Sequence, residues 1–268
     1  MKPFNLRLQE YADRIDSRLC VGLDINPELL KSARPTLADL QEHTFKIIDA
    51  TRDLAAAFKP NLAFFERWGA AGFGWLEATL ERIGAGPLVI GDAKRGDIGN
   101  TARQYAVSLF DHFGFDAVTI NPYMGRDALE PFLDRPEKGA FILCRTSNPS
   151  AGELQNIESA GKPLYLRVAE LALELNRADN VGLVVGATAP AEIARVRKAA
   201  PQLPFLIPGI GAQGGDLAAS YRAGNSGGFA LINVSRGICF AGDHSAAAIR
   251  QAALDYREKM RRIAITGE

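Results

Sequence analysis

Eight short apolar runs, each followed by a longer amphipathic stretch, constrain this chain more than any other feature. The runs are Leu19–Asp24, Ala57–Phe65, Pro87–Lys94, Ala117–Asn121, Ala140–Ser147, Val181–Ala187, Phe205–Ile210 and Phe229–Arg236. Val, Ile, Leu and Phe without polar alternation suit strands buried on both faces, as in parallel sheets. The stretches between them carry helical spacing. Leu37, Leu40, Thr44, Ile47, Ile48, Thr51 and Leu54 trace one apolar stripe, and Ile98, Ala102, Tyr105, Ala106, Leu109 and Phe113 trace another. Eight such units in 268 residues predict a single α/β domain over 1–268, a (β/α)8 TIM barrel. An additional N-terminal helix, Phe4 to about Ser17, would close its bottom. The competing architecture is a doubly wound open sheet; eight units in one compact length, with no linker between them, favour the barrel.

Polar residues gather at the C-terminal end of the runs: Asp24, Lys59 with Asn61, Asp92 and Lys94, Asn121, Ser147, Pro208 and Arg236. In a barrel these ends converge on one mouth, where such folds keep their chemistry. A strand end is polar simply because it leaves the core, and that accounts for an Asn or a Ser. It accounts poorly for Lys59, Asp92 and Lys94, since Lys and Asp are almost never buried unless paired.

Charge has to act locally here, because Lys plus Arg and Asp plus Glu are equal at 31 each. A formal charge of zero argues against partners recognised by bulk electrostatics, so neither nucleic acid nor an anionic membrane is expected. Cys20, Cys144 and Cys239 form no CxxC pair and read as reduced thiols. His43, His112 and His244 are scattered, so no Cys/His cluster offers a transition-metal site. No apolar stretch reaches about 18 residues, and the first residues carry charges where a signal peptide needs its apolar run. The expectation is a cytoplasmic protein.

The sharpest motif is Asp92-Ala93-Lys94-Arg95-Gly96-Asp97-Ile98. Asp-x-Lys-x-x-Asp should arise by chance only about 0.06 times in this length. In an extended strand Asp92 and Lys94 would project to the same face, and Asp97 would follow a glycine turn into the next helix. A carboxylate there is favoured by the helix dipole alone, and Asp92 with Lys94 could be a structural ion pair. With Lys59 on the neighbouring strand, an alternating Lys59–Asp92–Lys94–Asp97 array follows, each charge kept ionised by its neighbours.

A second site is expected where barrels hold phosphate, at the loops after strands seven and eight. Gly209-Ile210-Gly211-Ala212-Gln213-Gly214-Gly215 follows the seventh run and opens a helix; Ser235 and Arg236 follow the eighth. Arginine suits bidentate phosphate binding, although Arg236 also reads as a solvated strand-end charge. Gly209–Gly214 spells the dinucleotide fingerprint GxGxxG, a weak signal on the seventh unit with no acid about 20 residues on. The segment 148–162 reads as a lid or an ordinary surface insertion, and Trp68, Trp75, Phe64 and Phe65 as core packing.

Taken together, Gly22-Leu23-Asp24, Phe58-Lys59-Pro60-Asn61, the Asp92–Ile98 motif, Asn121-Pro122-Tyr123, Arg145-Thr146-Ser147-Asn148-Pro149, Ile207–Gln213 and Asn233-Val234-Ser235-Arg236 resemble the orotidine 5′-phosphate decarboxylase family, most closely its bacterial longer-chain branch. The resemblance runs from the first strand to the last. It implies a homodimeric barrel that converts orotidine 5′-phosphate to UMP and carbon dioxide without a cofactor or metal. Lys94 would be the proton donor, Asp92 would face the departing carboxylate, and Lys59 would hold the array. Asp24 would bind ribose and Ser147 would read the pyrimidine. Pro208, Gln213, Ser235 and Arg236 complete the substrate set, with Gly209, Gly211 and Gly214 in the phosphate loop. Asp97, with Ile98 and Thr101, would reach into the partner subunit's site.

Two other readings stand beside this one. A Mg²⁺-dependent sugar-phosphate decarboxylase or synthase shares the Asp92–Asp97 motif but needs an acid on the second strand. That position is Lys59, and Glu66 lies seven residues on. The other is a catalytically silent nucleotide-binding barrel, for which the intact charged set has no use.

Overall fold

The computed structural model describes residues 2–211 and 214–266. Eight parallel strands close into a barrel in chain order: Leu19–Leu23, Ala57–Pro60, Leu88–Arg95, Ala117–Ile120, Gly139–Arg145, Val181–Val185, Phe205–Ile207 and Ala230–Val234. Closure comes from first against eighth, with Leu19 opposite Ile232 and Val21 opposite Val234. The open-sheet alternative is thereby excluded. No described helix is long and apolar enough to cross a membrane.

Two buried clusters explain why unpatterned apolar runs make this shape. Leu19, Val21 and Leu23 face outward and meet the helices, as do Phe58, Val118, Ile120 and Ile142. Cys20, Ala57, Leu88, Ile90, Ala117, Phe141, Val184, Leu206 and Leu231 face inward and fill the barrel's lower part. Both faces of each strand are dry, so the period of two hides beneath continuous hydrophobicity.

The helix Phe4–Arg14 plugs the bottom. The Phe4 ring meets Phe141 edge-on at 5.9 Å. It also lies so close to Gly139 that a Cβ there would fall 2.2 Å from the ring, so only glycine permits the plug. This helix is shorter than expected, because Asp16 turns the chain at φ 48° before Ser17.

Other boundaries move for local reasons. The second strand stops at Pro60 and does not reach Phe65; Asn61 accepts a hydrogen bond from the Ala63 amide and caps a short helix, Leu62–Glu66. The eighth strand ends at Val234, and Arg236 opens a short helix to Cys239. The segment 148–162 carries a helix, Ala151–Gln155, and a small hairpin pairing Glu158–Ser159 with Lys162–Pro163. Phe65 and Trp75 are core residues, and Phe64 and Trp68 pack against them, as expected. Along the second stripe Ala102, Ala106 and Leu109 are buried, but Ile98 and Tyr105 stay exposed.

Candidate active site

The inward parity that fills the barrel continues upward into its mouth. Above Cys20 the next inward positions are Gly22 and Asp24; above Ala57 they are Lys59 and Asn61; above Ile90 comes Asp92; above Ala117 comes Thr119; above Leu231 come Asn233 and Ser235. Asp24, Lys59, Asp92, Lys94, Thr119, Asn233 and Ser235, with Ser147, Pro208, Gly209 and Arg236, line one cavity of about 420 Å³.

At its floor lies a chain of ion pairs. Lys59 Nζ is 2.7 Å from Asp92 Oδ2 and 3.8 Å from Asp24 Oδ1, and Lys94 Nζ is 2.5 Å from Asp92 Oδ1. The side chain of Lys59 is 4% exposed and that of Asp92 10%, whereas Lys94 is 51% exposed. Burial alone would drive Lys59 toward neutrality, but the Asp92 and Asp24 carboxylates outweigh it and hold the ammonium above the usual lysine range. Burial would likewise raise Asp92, yet Lys59 and Lys94 hold it below the usual carboxylate range. Cys20, beneath the array, is pushed up to about 12 by burial and stays a thiol.

Two expectations about this array need correcting. Asp92 and Lys94 do not share a face by strand alternation, because Lys94 adopts φ 48° and the ladder slips between Gly91 and Arg95. The long lysine side chain reaches Asp92 from this bulge instead. Asp97 is not the array's fourth member within the chain: its Oδ1 accepts from the Ile98 amide at 2.8 Å, and Asp24 occupies the far end beside Lys59. Neither Asp97, Ile98 nor Thr101 is among the residues lining the cavity. Asp97 also precedes its helix, Gly99–Val107, by two residues.

At the phosphate end, Arg236 is exposed at the mouth and forms no ion pair with a described residue. Gly209, at φ 103°, lines the cavity, but Gly211 and Gly214 do not. The Gly214 amide donates to Gly211 O at 2.8 Å and the Gly215 amide to Gly209 O at 3.1 Å, so the loop satisfies part of itself. Gln213 lies outside the described residues. The loop does not open a helix directly: Asp216 caps Leu217–Asn225 by accepting from the Ala219 amide at 3.0 Å. A carboxylate already sits at that helix end, which disposes of the dinucleotide fingerprint.

The 148–162 segment is tied to the mouth. Gln155 Oε1 accepts from the Thr146 amide at 3.0 Å, and its Nε2 donates to Thr146 Oγ1 at 2.7 Å. Arg145 pairs with Glu192 at 2.5 Å beneath it. Glu66 pairs with Arg95 and is not part of the cavity lining, so it offers no ligand to a metal held there. Among the described residues no group of three or more His, Cys, Asp or Glu could hold a metal ion.

Sequence reading passed over Thr119 and, although it counted Asn233 within a family motif, gave neither a place in the site. Both sit inside apolar runs at the inward parity, two residues below a polar strand end, and that spacing is the signal that could have found them.

Comparison with known proteins supplies the lineage. The profile of the "Orotidine 5'-phosphate decarboxylase / HUMPS family" matches residues 17–251. An orotidine 5′-phosphate decarboxylase of Roseiflexus castenholzii is 51% identical over 258 residues, 94% of each chain. The structure of Leishmania donovani OMP decarboxylase superposes with a TM-score of 0.87 at 45% identity, covering 97% of this chain and 98% of that one. That of Leishmania donovani UMP synthase gives 0.89 at 46% identity over 98% of this chain, which spans only 57% of the synthase chain. Matches of this extent and identity settle the lineage: the chain belongs to the orotidine 5′-phosphate decarboxylase / HUMPS family.

Proposed function

We propose that the chain is a carboxy-lyase that converts orotidine 5′-phosphate to UMP and carbon dioxide. The observation that carries this is the Asp24–Lys59–Asp92–Lys94 chain of charges on the floor of the cavity. The bond between pyrimidine carbon 6 and its carboxylate breaks, leaving the electron pair on carbon 6. Lys94 delivers a proton there, carbon dioxide departs, and water reprotonates the amine. A fixed ammonium beside the developing carbanion is the natural electrostatic partner for it. Asp92, kept anionic by its two lysines, faces the departing carboxylate, and Lys59 holds Asp92 in place.

The remaining residues divide the substrate among them. Asp24 lines the cavity with its side chain 24% exposed, so the part of the carboxylate that faces the cavity suits a ribose hydroxyl as its donor. Ser147 and Pro208 border the pyrimidine and ribose, and Ser235, Arg236 and the Gly209 loop take the phosphate. No step requires a metal or cofactor, and an ammonium at Lys59, where the sugar-phosphate enzymes need an acid, repels a divalent cation.

The active unit is a homodimer in which Asp97, Ile98 and Thr101 enter the partner's site. Ile98 at 58% exposure, with Tyr123 and Met124 exposed on the next loop, supports an apolar rim that a second copy would cover.

Loss of orotidine absorbance on adding orotidine 5′-phosphate to EDTA-treated protein tests the reaction. Lys94→Ala should lower turnover by at least about 10²–10⁴-fold. A strict Mg²⁺ requirement would favour the sugar-phosphate reading instead. Mixing inactive Asp97→Ala and Lys94→Ala proteins should restore about a quarter of parental activity, since half the dimers carry one intact shared site. No rescue, with heterodimers demonstrated, removes Asp97 from the partner's site.

A further inference from the structure

Thr119 stands between the two halves of the charged array. It sits on the fourth strand at 1% exposure, among the residues lining the cavity. Its Oγ1 accepts from the Lys94 backbone N–H at 2.9 Å and donates to Asp92 Oδ1 at 3.0 Å. That same Oδ1 receives the Lys94 ammonium.

The polarity of this hydroxyl is fixed by what it touches. An amide N–H can only donate, so Thr119 accepts from Lys94. A carboxylate can only accept, so the single hydroxyl proton goes to Asp92. The bulge makes the first bond necessary. Where the third strand slips between Gly91 and Arg95, Lys94 leaves the ladder, and regular pairing resumes at Arg95 opposite Ile120. Thr119 therefore supplies the acceptor that a neighbouring strand carbonyl would otherwise provide. Lys94 is also held at φ 48°, a left-handed conformation that is unfavourable for a non-glycine residue and persists only where the surroundings impose it. Threonine suits the task because a β-branched side chain on a buried strand has a stiff χ1.

We infer that Thr119 is a positioning residue for decarboxylation: it fixes the bulge that aims Lys94 and locks the Asp92 oxygen against which Lys94 is held. It acts through Lys94 and touches no reacting atom. The inference rests on the reading of Lys94 as proton donor and adds a residue to it.

The test compares Thr119→Val, which keeps shape and loses both hydrogen bonds, with Thr119→Ser, which keeps both. Displacing a catalytic group by about 1 Å can cost about 10²-fold, so Thr119→Val should lower kcat by about that factor. KM should stay within about two-fold, because the phosphate and ribose contacts lie elsewhere. Thr119→Ser should return kcat to within about five-fold of the parent, the remainder reflecting its freer rotamer. A residue that only supported the fold would lower melting temperature and active fraction without this split and rescue. If Thr119→Val does not fold, the smaller Thr119→Ala carries the same expectation. Lys94→Ala, measured alongside, separates the two layers. A large loss in Lys94→Ala with parental kcat in Thr119→Val overturns the role of Thr119 alone, as does a serine variant as slow as valine. Parental turnover in Lys94→Ala overturns the proton-donor reading, and the Thr119 inference with it.

Discussion

Two long cationic side chains are buried at opposite ends of this barrel, and their surroundings differ in kind. Lys59, at the mouth, is held by two carboxylates. Arg197, at the other end, meets no carboxylate among the described residues; its guanidinium donates to the carbonyls of Ala200, Pro201, Leu203, Gly224 and Phe229 and lies 3.6 Å over the Phe205 ring. The segments it gathers, a helix end at Gly224 included, precede the seventh and eighth strands, so it staples the base of the sheet where those strands begin. Carboxylates raise Lys59 above its usual range, whereas burial pushes Arg197 down to about 10, with no counter-charge among the described residues to offset it. Counter-charges create a field that a substrate can feel; carbonyls only satisfy donors. Burial of a cation is thus not by itself a sign of chemistry, and the identity of its partners decides.

Exchanging each cation for an apolar side chain of similar length tests that distinction at its strongest. Lys59→Met should reduce kcat by about 10²–10³-fold or more, the usual scale for losing a preorganised electrostatic group. Arg197→Met should leave kcat near the parental value but cost about 3 kcal/mol of stability, because several buried carbonyls lose their donor at once. Denaturant melts and steady-state rates on both variants decide the matter. An Arg197→Met protein that is parental in stability, or a Lys59→Met protein that turns over normally, breaks the contrast.

Arg236 sharpens it from the other side, as an exposed cation at the mouth that no described carboxylate neutralises. A charge-assisted contact to phosphate is worth about 1.5–3 kcal/mol, so Arg236→Ala should raise KM by about 10–100-fold. The effect on kcat should be smaller. An unchanged KM would mean the phosphate sits elsewhere.

The same contrast explains what could be read from the sequence. Both ends of the barrel were visible as runs, and the mouth also as chemistry, because Asp92, Lys94 and Lys59 are charged types where charge is costly. Arg197 gave no warning: in a helical stretch it reads as an ordinary surface cation, and its burial depends on loops some 3 to 32 residues away. The Lys94 bulge was equally hidden, since its cause, Thr119, lies 25 residues downstream on another strand. Strand parity in a doubly buried sheet leaves no polar alternation to read, which is why Thr119 passed as core and Asn233 stood out only as part of a family motif. Boundaries at Pro60 and Val234 moved because a cap or a short helix, both set by local hydrogen bonds, ended strands before hydrophobicity did.

A third buried base places itself on the scale that Lys59 and Arg197 define. His43 is 4% exposed, and among the described residues its Nε2 hydrogen-bonds the Cys239 carbonyl at 2.8 Å, beside the Phe240 and His244 rings. Burial lowers its pKa, with Lys46 and His244 adding to the effect, and the Cys239 carbonyl and Glu42 only partly oppose it. Two carboxylates keep a lysine charged and five carbonyls keep an arginine charged; one carbonyl leaves an imidazole neutral. The sign of the consequence follows. A base whose folded pKa lies below the unfolded value of about 6.5 binds fewer protons folded than unfolded. Its contribution to stability is therefore full above about pH 6.5 and declines as pH falls toward the folded pKa, levelling below it. His43→Gln should flatten the fall in melting temperature between about pH 7.5 and 5, the smallest effect of the series. An unchanged slope would mean that His43 gains its proton in the folded state as readily as in the unfolded one, and that one carbonyl suffices after all.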